Sequence, residues 1–301
     1  MITGVQAAMP TYDTTVEPEA ENTSHWQMID LVGGHKSVLD VGCATGYLAQ
    51  ALAQRGCTVS GIEMDPTAAA IAEPLLDQLV VGDLSTLDLA ESFGERRFEV
   101  IVLGDVLEHL VEPEVVLRRL IGLLAPGGAF VISIPNVAHG SVRLMSLLGR
   151  WEYRDRGLLD RTHLRFFTRA SLRDLLRSAG LVATQVRTTT AEPTGVEIPI
   201  DPSDLPDGIL SWVRAQPDAL TYQFVVRAVR DSDGELAAVA AERDALQDHV
   251  DALTRQAEGL RDAAAASTAA LDLVQSGRLL RWSAPARRAY GAVRRAAVGD
   301  E

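Results

Sequence analysis

The chain has 301 residues, 47% of them hydrophobic, and a formal net charge of -13. That supplies a full core plus an appendage, and it excludes a general nucleic-acid-binding surface, because neutralising phosphates needs clustered cations. Two cysteines, Cys43 and Cys57, form neither a metal-ligand spacing nor a disulfide framework, and no run of about 18 apolar residues or basic-then-apolar leader is present, so the sequence predicts a cytoplasmic protein.

Residues 1–23 are polar, rich in Thr and Glu and aperiodic, and read as a mobile leader. From Ser24 onward, predicted strands over 37–41, 58–63, 79–81, 99–103 and 129–134 alternate with predicted helices over 47–55, 66–76 and 113–124. Such alternation implies crossover units and a parallel sheet covered on both faces. A helix over 169–179 and strands over 182–189 and 222–229 follow, and the Pro- and Asp-rich connection 190–217 is placed to cover the carboxyl ends of the strands as a lid. The predicted organisation is a leader (1–23), an α/β domain (24–231), a coiled-coil helix (232–275) and a basic amphipathic tail (276–301).

The first strand runs into Val38-Leu39-Asp40-Val41-Gly42-Cys43-Ala44-Thr45-Gly46: an apolar run, a carboxylate, and a small-residue loop opening onto a helix. This presents backbone where a nucleotide-like cofactor can approach, and dinucleotides and S-adenosylmethionine both use such loops. A dinucleotide calls for a third glycine three residues after the second, where Ala49 stands. Glu63 ends the second strand roughly 20 residues past Gly42, where a carboxylate can accept hydrogen bonds from both ribose hydroxyls. Asp83, in Val80-Val81-Gly82-Asp83-Leu84, is placed to accept one from an adenine amino group. A lone glycine loop is as readily a tight turn and a lone strand-end acid is usually just solvated; their joint order is what points to a cofactor.

Across residues 24–230 the chain resembles the class I S-adenosylmethionine-dependent methyltransferases. The resemblance implies a seven-stranded, mostly parallel Rossmann-like sheet. It puts Asp40, Gly42, Cys43, Ala44 and Gly46 at the methionyl part of the cofactor, Glu63 and Met64 at the ribose, Asp83 and Leu84 at the adenine, and Asp105 in the same pocket. Ala44 stands where the family often has glycine, and its methyl is tolerable if the backbone there is ordinary.

A sulfonium already carries an activated methyl, so the protein needs to align an acceptor, exclude water and take a proton from a hydroxyl. In Asp105-Val106-Leu107-Glu108-His109, spacings of three and four put the acids and the imidazole near one face, where they either do chemistry or shape the cofactor pocket. The string is similar to an acid-x-x-Glu-His arrangement that holds magnesium in the ubiquinone-pathway O-methyltransferases, which implies Asp105, Glu108 and His109 as ligands. Mg²⁺ prefers oxygen ligands in an octahedron that this spacing does not by itself supply, so it stands behind S-adenosylmethionine as a secondary expectation.

Leu158-Leu159-Asp160-Arg161-Thr162-His163-Leu164-Arg165-Phe166-Phe167-Thr168 resembles a signature of a methyltransferase branch found among proteins of glycan synthesis. That implies His163 and Asp160, with His109, as catalytic candidates, and Arg161 and Arg165 as grips on a polyol or an anion. The structural reading has Phe166 and Phe167 in the core, Thr168 as a helix N-cap and Arg165 paired with Asp160. His139, Trp151 and Tyr153 are candidates for the acceptor wall, or for the core.

Beyond the domain, a 3,4 spacing runs through Leu236, Val239, Arg243, Leu246, Val250, Leu253, Ala257, Leu260, Ala264, Ser267, Leu271 and Val274. This is a coiled-coil seam and predicts a homo-oligomer. Lys36 is the single lysine, whereas residues 277–299 hold six arginines and no carboxylate. Residues 276–288 resemble an arginine-rich element that follows coiled coils in some bacterial polysaccharide-synthesis enzymes, and arginines interleaved with Leu279, Leu280, Trp282, Tyr290 and Val293 suit an anionic membrane or an acidic partner. The expected activity is methyl transfer to a sugar hydroxyl of a surface glycan or its precursor. The alternatives are methylation of a small aromatic or quinone-like hydroxyl, and a cofactor-binding scaffold for a glycan-synthesis complex.

Overall fold

A computed structural model describes residues 20–231, 235–276 and 288–289. The expected leader and basic tail lie almost entirely outside the described residues. The elements are α1 (Ser24–Val32), β1 (Ser37–Val41), α2 (Tyr47–Gln54), β2 (Thr58–Glu63), α3 (Pro66–Ala72), β3 (Gln78–Val81), α4 (Leu89–Phe93), β4 (Phe98–Gly104), α5 (Pro113–Ile121), β5 (Leu124–Pro135), α6 (Gly140–Leu147), α7 (Arg169–Ser178), β6 (Leu181–Thr190), α8 (Ile209–Arg214), β7 (Thr221–Arg230) and α9 (Glu235–Ser276).

The seven strands form one sheet in the order β3-β2-β1-β4-β5-β7-β6, parallel except for β7, which is antiparallel to both β5 and β6. The chain winds outward from β1 in one direction and from β4 in the other. Their carboxyl ends therefore flank the crevice where open α/β sheets bind ligands.

Side-chain alternation builds the two faces. Leu39 and Val41, Ile101 and Leu103, Phe130 and Ile132, and Phe224 and Val226 enter one buried cluster with α5 and α7. Val38, Val100, Val102, Val131 and Val225 enter the other, with α1 and α2. Asp40 shares the parity of Val38 and so projects on the α1 and α2 side. Both faces are apolar, which is why these strands read as continuous hydrophobic runs.

The 190–217 connection, expected as a lid, packs against α6 and residues 158–159. Val142, Leu144, Met145, Leu158 and Leu159 share an apolar cluster with Ile198, Ile200 and Val213, so the 190–217 connection and α6 form a small cap with its own core. Thr168 does cap α7, in a capping box with Ser171. The chain divides into a unit spanning residues 1–243 and another spanning 244–301. α9 is one helix of 42 residues, and Leu236, Val239, Leu246, Val250, Leu253, Leu260 and Leu271 of the expected seam are exposed on it.

Candidate active site at the carboxyl ends of β1, β2 and β4

The loop after β1 turns in tight quarters. Gly42 has φ +72, and a Cβ there would meet Val106 at 2.9 Å; Gly46 has φ +82 and caps α2. Gly42 thus lets the β1 loop lie against the loop after β4. Ala44 corrects the expectation of an ordinary backbone: its φ is +46, in the left-handed region. Asp105, at the end of the adjacent strand, has φ +54. Two non-glycine residues held left-handed on neighbouring loops mark a place where local comfort yields to function. Because the left-handed conformation costs an L-residue about 1–2 kcal/mol, Ala44→Gly is expected to stabilise the protein by about 0.5–1 kcal/mol after the added chain entropy of glycine, read as a higher midpoint in urea.

Glu63 ties this loop to the next. Its Oε2 accepts from Ala44 N–H at 2.8 Å, and its Oε1 accepts from the N–H groups of Met64 and Asp65 at 2.8 Å each. The carboxylate is thereby oriented at the β2 end, with one of its four acceptor sites, on Oε2, left open. Asp40 is buried and its Oδ2 has no hydrogen-bond partner; burial, and then the charge of Glu63, push its carboxyl up to about 7. Cys43 is buried beside them, and burial with the same two acids pushes its thiol up. Met64 is exposed and Leu84 buried. Asp83 lies two residues beyond β3, exposed, with Oδ1 accepting from Ser85 N–H at 2.8 Å.

After β4, Asp105 is spoken for: Ser133 Oγ donates to its Oδ1 at 2.8 Å, and Gln223 Nε2 donates to both oxygens at 2.9 and 3.0 Å. Glu108 is 1% exposed, neither carboxylate oxygen has a hydrogen-bond partner, and burial raises its pKa well above the ordinary carboxylate range. The backbone carbonyl of Glu108 accepts from the N–H groups of Leu164 and Arg165 at 2.8 and 3.0 Å, which brings His163 over it. His163 Nε2 lies 4.0 Å from Glu108 Oε1, and the His109 and His163 rings meet edge to face at 4.9 Å. Ligand atoms of Glu108, His109 and His163 all lie within 4.8 Å of one another.

The trio therefore differs from the one the resemblance implies, with His163 in the place of Asp105. One carboxylate and two imidazoles do not fit Mg²⁺, which takes oxygen ligands and keeps several waters. No step of the reaction is assigned to Mg²⁺.

The remaining predicted residues divide between the site and the scaffold. Asp160 is buried, and its Oδ1 accepts from Thr162 N–H and Oγ1 at 2.8 and 2.6 Å, closing a turn beside Glu108 and His163, on both of which its charge acts. Arg161 pairs with Asp155 at 2.6 Å, and Arg165 donates to the Val111 carbonyl rather than to Asp160. His139 is fully buried, with Nδ1 at 2.8 Å from Ser141 Oγ and Nε2 at 3.1 Å from the Ala191 carbonyl, so it holds the cap together and is no part of an acceptor wall. Trp151 and Tyr153 are 47% and 53% exposed and available to a ligand. Trp151 packs edge to face on Phe166 at 5.9 Å, and Phe166 on His163 at 6.3 Å, giving a row of rings from Trp151 to His109.

Sequence reasoning did not find Ser133 and Gln223, which orient Asp105, or His25 of α1. His25 stacks edge to face on Tyr47 at 5.0 Å, its pKa lowered by burial and partly restored by Asp105. No motif marks these three; they become visible when strand order is known. A cavity of about 440 Å³, lined by Thr23, Thr189, Glu197, Tyr222 and Gln223 among others, abuts Asp105 through Gln223.

Residues 26–186 match the family model described as a methyltransferase domain. The chain is 35% identical over 166 residues to a ubiquinone biosynthesis O-methyltransferase of Pseudomonas fluorescens Pf-5, covering 52% of this chain and 69% of the relative. It is 34% identical over 175 residues to that of strain SBW25, covering 56% and 72%. Among solved structures it is similar to a possible histamine N-methyltransferase from Thermotoga maritima, with 19% identity, coverage of 70% of this chain and 89% of that one, and a TM-score of 0.48. The glycine loop, the two strand-end acids and the family match over this same region make the chain a member of the methyltransferase-domain family, an enzyme whose methyl donor is S-adenosylmethionine.

Proposed function

We propose that the protein methylates the hydroxyl of a small aromatic or quinol-like acceptor. The observation that carries this reading is the row of rings from Trp151 through Phe166 and His163 to His109, an aromatic wall that ends at the Glu108 cluster. The names of the Pseudomonas relatives, which place them in ubiquinone biosynthesis as O-methyltransferases, support the same acceptor class.

The glycan reading loses its physical support at the arginines. Arg161 and Arg165, expected to grip a polyol, are engaged with Asp155 and the Val111 carbonyl. Transfer proceeds by attack of the acceptor oxygen on the sulfonium methyl: the O–C bond forms, the C–S bond breaks, and the sulfonium becomes a neutral thioether. The hydroxyl proton leaves toward His109, the half-buried member of the cluster.

Purified full-length protein incubated with radiolabelled S-adenosylmethionine and parallel sets of phenol or quinol acceptors and sugar nucleotides is expected to label the aromatic set. Labelling confined to sugars would refute the assignment. Within the aromatic set, Trp151→Ala is expected to raise KM about tenfold, the equivalent of ~1.4 kcal/mol of lost contact, with kcat changed less than threefold.

A further inference from the structure

We infer that the cavity beside Asp105 seats an aliphatic ammonium group of the acceptor against the carboxylate of Glu197. Use of the cavity by an acceptor rests on the aromatic-hydroxyl reading above, whereas binding of a cation there does not.

Three segments meet around this space of about 440 Å³. Just ahead of α1, Asn22 exchanges two hydrogen bonds with the backbone of Thr190 at the end of β6. Its Nδ2 donates to the carbonyl at 2.9 Å and its Oδ1 accepts from the N–H at 2.8 Å, which closes one wall. Thr189, Tyr222 and Gln223, from the end of β6 and the start of β7, form the second, and Glu197 of the cap belongs to the third. Because Gln223 Nε2 donates to Asp105, the cavity shares a residue with the carboxyl end of β4, in the crevice where an open α/β sheet takes its ligands.

Glu197 is the single charged residue in the lining, and it is held in place. Its Oε1 accepts from Leu158 N–H at 2.7 Å and its Oε2 from the Tyr222 hydroxyl at 2.8 Å, which leaves a lone pair on each oxygen. A Cβ on Gly157, whose φ is +90, would run into the Glu197 side chain, so the glycine gives the carboxylate its seat. Both donors are neutral, and among the described residues this half-buried carboxylate has no ion-pair partner. Burial, and then the charge of Glu197, push the Tyr222 hydroxyl up, so it keeps its proton and goes on donating. His139 meets the Tyr222 ring edge to face at 5.7 Å, but burial lowers its pKa and it brings no compensating charge. The charge of Asp105 also reaches Tyr222. Two carboxylates with no cation in the lining give the cavity a negative potential. An ammonium entering it donates to Glu197 and supplies the missing charge, whereas a phosphate or carboxylate is repelled.

Phenethylamine, phenethyl alcohol and hydrocinnamate share a ring and a two-carbon arm, differ in charge, and carry no phenolic hydroxyl to methylate. Isothermal titration of each into full-length protein saturated with S-adenosylhomocysteine is expected to rank the amine above the alcohol by about tenfold or more in Kd, with hydrocinnamate weakest. Glu197→Gln is expected to bring the amine within about threefold of the alcohol while S-adenosylhomocysteine still binds as in the parent, which shows the fold intact. Tyr222→Phe keeps the carboxylate and is expected to keep the preference. Equal binding of amine and alcohol by the parent protein, or no measurable binding of the amine, would overturn the inference without recourse to any variant. A preference that survives Glu197→Gln, or one lost in Tyr222→Phe, would take the role from Glu197. Methylation of sugars alone by a protein that still prefers the amine would overturn the aromatic acceptor and leave the cation site standing.

Discussion

Replacing Glu63 with alanine is expected to weaken S-adenosylmethionine binding about tenfold to a hundredfold and to lower the stability of the cofactor-free protein. The two effects have separate origins in one carboxylate. One ribose hydroxyl donating to the open site on Oε2 would contribute about 1.5–3 kcal/mol, so its loss is expected to cost a factor of about 10 to 10² in Kd. The same side chain accepts backbone N–H bonds from Ala44, Met64 and Asp65, tying the β1 loop to the β2 loop. Without it three amides must find water, at a cost of ~2–4 kcal/mol, and left-handed Ala44 loses the bond that holds it there. Isothermal titration with S-adenosylhomocysteine and urea unfolding measure the two quantities independently. A variant that binds within threefold of the parent would remove Glu63 from the cofactor site, whatever happens to stability.

Glu63 was legible in the sequence because its position depends on local order: a buried strand that ends, then an acid. The same holds for β1 and β2, whose bounds match the predicted runs at 37–41 and 58–63. β5 begins earlier than its apolar run suggests, because Pro126-Gly127-Gly128 lies in a bulge within the strand; the register passes from Phe98 opposite Leu124 to Val100 opposite Ala129. The short helices α4 and α8, of 5 and 6 residues, fall below the length at which periodicity can be read.

Pairings made across the fold were not legible. Glu108 and His163 are 55 residues apart, and what joins them is a pair of N–H groups from Leu164 and Arg165 on the Glu108 carbonyl, a contact with no pattern of its own. Asp105 was read as near Glu108 and His109 because spacing places it there, yet Ser133 and Gln223 draw its carboxylate into a separate set of bonds. The arginines of the 158–168 string show the same limit in reverse. Their chemistry suits a polyol, but Asp155 and the Val111 carbonyl are nearer partners.

Asp40 gives the cofactor-free protein a pH dependence that the cofactor is expected to reverse. Its carboxyl is pushed from 3.8 up to about 7, mainly by burial and further by Glu63, with the neighbouring Cys43 thiol staying protonated and adding no charge. Because the folded-state value is raised, the native protein holds a proton that the unfolded chain has released at every pH between about 4 and about 7. Stability therefore falls as pH rises through that window and is level above it, by up to about 4 kcal/mol for the full shift. Asp40→Asn, which cannot ionise, is expected to lessen this slope in urea midpoints measured from pH 5 to pH 8, the raised carboxyl of Glu108 supplying a share of the same sign. A slope unchanged in the variant would assign it to another group.

Binding works in the opposite direction. The methionyl part of S-adenosylmethionine is expected at the end of β1, where its cationic ammonium and sulfonium would stabilise an ionised Asp40. Cofactor affinity is then expected to strengthen as pH rises toward about 7, by a factor approaching ten per pH unit below that value, and to level off above it. Asp40→Asn should bind weakly at every pH, with the pH dependence gone. Affinity that weakens as pH rises would mean that the cofactor meets Asp40 in its protonated form, and that the charge opposite the ammonium comes from elsewhere in the pocket.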